Sequence, residues 1–285
     1  MITSTRRHIA ICGLVRDCRQ AVARNWQALQ KLQTADTQIS WVFVENDSVD
    51  GSREWLEELA TKHPNVTILG KDLGELTIPA SAEGRVMPGF SIRRISKMAF
   101  FRNLYLDHLK QQIGLENLDA VVVVDYDVYY LSIGHLKQCI EQIKPGKVIT
   151  ALGSAYRRMF STHFYDCYAY RKHGNHLPQT YFEIDSQRCS LWHKFRSIKA
   201  PFQVDSNFNG CAVYPAAAFA NSKYVVLPNN DPEVECYVEH VGLHAQMRAD
   251  GIQIWLDPML QVIYETPCSY WFSWLLRRIQ KRPLG

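Results

Sequence analysis

Short apolar runs alternate with amphipathic stretches through the first half of the chain, and this alternation sets the expected architecture. His8 to Val15 reads as a strand, with Arg16-Asp17 in the loop at its carboxyl end. Over residues 19–33, Val22, Trp26, Leu29 and Leu32 recur on one stripe at helical spacing. Ile39 to Val44 is a second strand. It runs into Glu45-Asn46-Asp47-Ser48-Val49-Asp50-Gly51-Ser52, a cluster of turn and N-cap residues that opens a helix from Arg53 to Ala60. Val66 to Leu69 makes a third strand. Residues 71–92 contain Gly74, Pro79, Gly84, Pro88 and Gly89 and read as a long loop, a class usually functional or disordered. Arg93 to Ile113 is helical, with Ile95, Met98, Arg102, Tyr105 and Leu109 on one stripe. A charge on an apolar face is costly unless paired, so Arg102 calls for a carboxylate partner or an anionic ligand.

Leu118-Asp119-Ala120-Val121-Val122-Val123-Val124 follows, a valine run suited to a strand buried on both faces. A helix near Ile133 to Ile143 and a strand from Val148 to Leu152 complete the series. Strand and helix alternating in this way predict an α/β fold with a mostly parallel, Rossmann-type sheet flanked by helices. Beyond residue 153 the pattern weakens into an aromatic and basic stretch, 154–205. Strands are expected at Cys211 to Tyr214, Tyr224 to Leu227, Ile252 to Leu256 and Gln261 to Tyr264, with a helix over Glu233 to Arg248. The expected division is 1–153, 154–266 and a tail, 267–285.

The valine strand ends in Asp125-Tyr126-Asp127. Acids at the carboxyl end of a central strand sit where open α/β sheets bind ligands. Both carboxylates could reach one hard cation, Mn2+ or Mg2+, able to hold a diphosphate. The competing reading is an acidic turn after a buried strand.

Bulk properties exclude more than they identify. With 285 residues, 47% of them hydrophobic, the chain can bury a large core, and its net charge of +4 does not by itself indicate nucleic acid. The eight cysteines are scattered without a CxxC pair, which favours reduced thiols in a cytosolic protein over a disulfide framework. Arg6-Arg7-His8 before the first apolar run imitates a signal peptide, but the run is minimal and no cleavage site follows. No stretch reaches transmembrane length. Residues 270–282 are aromatic and then basic, which suits either a membrane-surface helix or a terminal helix docked on its own core.

Taken together, these landmarks resemble the GT-A-fold nucleotide-sugar glycosyltransferases. Residues 45–52 are similar to the "NDSTDGT" loop of the large inverting family. Arg102-Asn103 resembles its "ARN" element, Asp125-Tyr126-Asp127 its DxD motif, and Glu239-His240 the late "ED" or "EH" helix. The last of these also looks like the fungal capsule-associated mannosyltransferase family. The resemblance implies a metal-dependent, hexosyltransferase-type enzyme, with Mn2+ or Mg2+ as cofactor. It would move a sugar from a nucleotide-sugar, expected to be a UDP-sugar, to a glycan or lipid-linked glycan in surface polysaccharide synthesis (capsule or lipopolysaccharide). It implies donor-binding roles for Arg16, Glu45, Asp47, Arg102, Asp125 and Asp127, and metal ligation by Asp125 and Asp127. Glu239 would serve as the base of an inverting reaction, with Asp127 also in the catalytic set. Asp205, Asn207, Asn209 and His240 would contact the acceptor. Many relatives carry a His ligand after the final strand. Here that position reads Val262-Ile263-Tyr264-Glu265, which leaves His244 as a further metal candidate. The expected location is cytoplasmic and peripheral at the inner face of the membrane, through 270–282.

Other readings compete. Glu239-His240-x3-His244 lacks the HExxH order of a zinc site. A dehalogenase-type phosphatase wants Thr or Val where Tyr129 stands, and Cys12-Gly13-Leu14-Val15-Arg16 is a poor nucleotidyltransferase loop. A non-catalytic glycan-binding module and a sugar nucleotidyltransferase stay open as alternatives. The aromatic-basic segment 156–171 could stack on nucleic acid, but no nucleic-acid motif accompanies it, so no nucleic-acid partner is expected.

Overall fold

The computed structural model describes residues 6–70, 88–158, 161–175 and 180–264. Residues 71–87, His176 and the segment 270–282 lie outside these, as does the expected division at 267–285.

The opening elements follow the hydrophobic pattern closely. They are β1 (Arg7–Val15), α1 (Arg19–Leu29), β2 (Thr37–Glu45), α2 (Ser52–Lys62), β3 (Val66–Leu69) and α3 (Ile92–His108). After these come β4 (Ala120–Val124), β5 (Tyr130–Leu131), α4 (Ile133–Gln142) and β6 (Lys147–Arg158). The chain continues through β7 (Ser161–Phe164), β8 (Arg171–Lys172), α5 (Tyr181–Phe195), β9 (Phe202–Ser206) and β10 (Cys211–Pro215). It closes with β11 (Pro228–Asp231), β12 (Val234–Cys236), α6 (Glu239–Ala249) and β13 (Gln253–Ile263).

The main sheet runs in the order β3-β2-β1-β4-β10-β6-β13-β9-β8. β3, β2, β1 and β4 are mutually parallel, and β6 pairs in parallel with β13. β10 enters antiparallel between β4 and β6 and joins the two parallel blocks. Every residue of β4 is fully buried. Val121 and Val123 face the core layer that includes α3, α5 and α6, while Ala120, Val122 and Val124 face the layer of α1, α2 and α4. Two covered faces explain a strand with no polar alternation.

The second half departs from the expected pattern in four places. Tyr224 to Leu227 is not a strand. Its backbone is held by a side chain instead: the Tyr224 N–H donates to Asn103 Oδ1 at 2.9 Å, and Asn103 Nδ2 donates to the Tyr224 carbonyl at 2.9 Å. The helix expected from Glu233 begins only at Glu239, because Val234, Cys236 and Val238 are buried at every second residue, a strand period that pairs β12 with β11. α5 was hidden in the aromatic-basic stretch. Its signature is a capping box in which Thr180 accepts from the Glu183 N–H and Glu183 accepts from the Thr180 N–H. The two C-terminal strands expected separately form one strand, β13, whose register against β6 shifts between Leu256 and Gln261.

Candidate active site

At the end of β4 the strand period continues for three residues. Tyr126 turns into the core against Phe43, at 4.8 Å between ring centroids. Asp125 and Asp127 therefore face the opposite way, into a cleft of about 260 Å3. Asn25 fixes the turn by donating to the carbonyls of Tyr126 and Val128, each at 2.8 Å. Gly13 leaves β1 bare where any side chain would collide with the Val124 carbonyl and the Tyr126 ring, so the acidic turn can lie directly beside it.

Arg102 is the centre of the site. It is buried on α3; its Nε donates to Glu239 Oε1 at 2.8 Å and its Nη2 to Asp125 Oδ1 at 3.3 Å. Its guanidinium also lies 4.9 Å from the Phe208 ring centroid. Burial opposes its charge, but the surrounding Tyr105, Glu239 and Asp125 outweigh it and hold the proton more firmly than usual. The second oxygen of Asp125 accepts from the Tyr264 hydroxyl at 2.6 Å, and Tyr264 stacks on Tyr165 at 3.5 Å. Both Asp125 oxygens are engaged by protein groups.

Asp127 differs. Its side chain is open to solvent in the cleft; among the described residues no other side chain hydrogen-bonds its carboxylate, and desolvation by the cleft walls, with Asp125 alongside, pushes it up to about 6. A third acid, Asp166, lines the same cleft. Burial, Glu239 and Asp125 raise it to about 7, although its Oδ1 accepts from the Ala169 N–H at 3.2 Å.

Glu239 opens α6, where the helix dipole favours a carboxylate. Arg102 holds its Oε1, while its buried Oε2 has no hydrogen-bond partner. His240 also lines the cleft, stacked on Phe208 at 3.9 Å, with neither ring nitrogen hydrogen-bonded. Burial and the nearby Arg102 keep it neutral.

The loops after β1 and β2 close one wall of the cleft and are clamped together. The Asp17 N–H donates to Ser48 Oγ at 3.1 Å, Asp17 Oδ1 accepts from the Val49 N–H at 2.8 Å, and the Arg19 N–H donates to Asp50 Oδ2 at 2.8 Å. Arg16 and Asn46 line the cleft. Glu45 is turned inward: its Oε1 accepts from the Ser48 N–H at 3.0 Å and its Oε2 from Arg53 at 3.4 Å. Asp47 has a positive φ of 51° and accepts from Asn46 Nδ2 at 3.1 Å. Neither acid is part of the cleft lining, which gives that wall to Asn46.

Four other sequence candidates lie outside the cleft. Asp205 is enclosed by His173 at 2.9 Å, the Gly174 N–H at 3.1 Å and Arg248 at 3.3 Å. Asn207 donates to Thr150 and to the Ala151 carbonyl, each at 2.8 Å, and accepts from Asn209. His244 has both ring nitrogens engaged, by Ser206 at 3.0 Å and Tyr214 at 3.1 Å, and burial lowers it to about 3. Conversely, Asn46, Arg94, Tyr165, Asp166 and Tyr264 line the cleft without having been singled out. Asn46 sits inside a motif that pointed to its acidic neighbours. Asp166 lies in a stretch without periodicity and offered no signal.

A divalent cation suits this chemistry. Asp127 offers an uncompensated carboxylate into the cleft, and hard cations take oxygen ligands.

A family model described as cryptococcal mannosyltransferase 1 matches residues 11–244. Comparison with curated protein sequences finds no match. Among solved structures, the mannosyltransferase PcManGT from Pyrobaculum calidifontis, in complex with GDP-Man and Mn2+, is similar at a TM-score of 0.52 and 12% identity. GalNAc-T7 with UDP, GalNAc and Mn2+ is similar at a TM-score of 0.53 and 11% identity. The matches cover 97% and 92% of this chain but only 62% and 46% of those chains. The shared architecture is the GT-A fold. The chain belongs to the cryptococcal mannosyltransferase 1 family of glycosyltransferases.

Proposed function

We propose that the chain transfers a sugar from a nucleoside-diphosphate sugar to a hydroxyl of a glycan acceptor, with a divalent cation held at Asp127 and Asp125. The observation that carries this reading is the single buried guanidinium that joins Asp125, on the donor side, to Glu239, on the acceptor side. When bound, the cation neutralises charge on the departing diphosphate. Arg102 keeps Asp125 oriented, and Arg16 and Arg94 add positive charge to the cleft wall.

Glu239 takes the acceptor proton. Its Oε2 is a buried acceptor without a donor, and an incoming hydroxyl supplies one. The acceptor oxygen then bonds the anomeric carbon as the bond from that carbon to the diphosphate oxygen breaks, with inversion. Asp166 is the second candidate for the base, because an acid raised to about 7 is well matched to proton transfer near neutrality. The mannosyltransferase family, together with the GDP-Man bound by PcManGT, makes GDP-mannose the first donor to test, ahead of the UDP-sugars suggested by the motifs.

The test is calorimetric titration of GDP and of UDP with and without Mn2+, on the wild type and on Asp127→Ala, followed by turnover with GDP-mannose and UDP-sugars. Metal-dependent binding lost in Asp127→Ala supports the reading. Metal-independent binding removes the cation from it, and no binding of either nucleotide makes a glycan-binding module the better account.

A further inference from the structure

A second polar cluster lies outside the donor cleft. His135 and Cys139 stand one turn apart on α4, so both project from the same helical face. They meet Asp257, which lies where β13 shifts register against β6 between Leu256 and Gln261, a break of the kind that re-aims a side chain. His135 Nε2 is 2.9 Å from Asp257 Oδ2, and Cys139 Sγ is 3.8 Å from the same oxygen. Asp257 Oδ1 accepts from the Met259 N–H at 2.9 Å, which fixes the carboxylate with Oδ2 toward the other two. Cys139 and Asp257 are buried, while a quarter of the His135 side chain is exposed. A cleft of about 230 Å3 opens onto all three.

We propose that His135, Cys139 and Asp257 form a binding site for a borderline-soft divalent cation, Zn2+ before Mn2+ or Mg2+. One nitrogen, one sulfur and one oxygen donor match the ligand types of zinc, and a thiolate disfavours hard cations. The ligand atoms lie within 4.8 Å of one another. Tetrahedral bonds of about 2.0–2.3 Å imply separations of roughly 3.3–3.7 Å, so closure needs only small side-chain adjustments. Three protein ligands leave the fourth position to water from the cleft. The Met259 N–H on Oδ1 acts as the outer contact that orients a ligating carboxylate. Lys147 and Lys199 line the same cleft and oppose a cation, but thiolate and carboxylate together neutralise a divalent charge. This site does not depend on the transferase reading.

The test is titration of the chelator-stripped full chain with Co2+, followed by displacement with Zn2+. The expected result is one tight equivalent whose near-ultraviolet thiolate charge-transfer band disappears in Cys139→Ser and persists in Asp127→Ala. His135→Gln, at a partly exposed helix position, is expected to weaken Co2+ at least about tenfold, since even outer contacts are worth that much. Circular dichroism on both variants confirms folding, and His135→Gln carries the test if Cys139→Ser fails to fold. A saturated titration without the band overturns the proposal. So does a band that survives Cys139→Ser or disappears in Asp127→Ala, or Co2+ affinity unchanged in His135→Gln.

Discussion

Arg102 Nε lies 2.8 Å from Glu239 Oε1, and both side chains are buried, so a charge on α3 and a charge on α6 exist only as a pair. Removing one partner strands the other in a medium that solvates it poorly. Arg102→Met is therefore expected to cost about 3–5 kcal/mol of stability, read by urea denaturation. Arg102→Lys recovers little, because one ammonium cannot span Glu239 and Asp125 as the guanidinium does.

Acidity sets the next expectation. Asp127 holds its proton up to about pH 6, so a cation must displace that proton below this value. Mn2+-dependent nucleotide binding should strengthen as pH rises through about 6 and level off above it, as measured by calorimetry across that range.

Asp166 gives the opposite sign for stability. Its carboxyl is raised to about 7 in the fold, against about 3.9 in an unfolded chain. Between these values the folded state binds more protons, so this group's contribution to stability falls as pH rises. Asp166→Asn removes the effect. It should melt like the wild type below about pH 4 and higher above about pH 7, by about 2–4 °C per kcal/mol relieved.

Tyr264→Phe removes the phenol that orients Asp125. Hydrogen bonds to charged groups are worth about 1.5–3 kcal/mol, and a loss of that order is expected in stability. Donor binding should weaken as well. Backbone pairing of Tyr264 N–H with the Ser154 carbonyl at 2.9 Å keeps the strand end in place, so the variant should remain folded.

Asn103→Ala leaves the Tyr224 N–H and carbonyl without their partner. Two such bonds are worth about 1–3 kcal/mol together, and amide exchange over 222–227 should accelerate, with Tyr224 itself most affected.

The parallel β3-β2-β1-β4 block was legible because each of its elements repeats one simple period and is short of polar interruptions. The acids at the end of β4 were legible for the same reason: a buried strand announces its own end. Asp205, Asn207 and His244 look like site residues in the sequence; in the fold they are buried, hydrogen-bonded within the protein and outside the cleft lining. Nothing local distinguishes a hydrogen-bonding side chain turned to a partner 30–60 residues away from one turned to a ligand. Asn103 shows the converse. Beside Arg102 it suggests chemistry, yet it replaces the strand that was expected at Tyr224 to Leu227.

The antiparallel β10 between β4 and β6 dictates an order of events during synthesis. Until residues 211–215 emerge, the valine strand has β1 on one side and an unpaired edge on the other. An open, apolar edge of this kind recruits other chains. Fragments ending before residue 211 should therefore aggregate, while chains reaching β10 seal the edge with their own backbone, long after β4 was made.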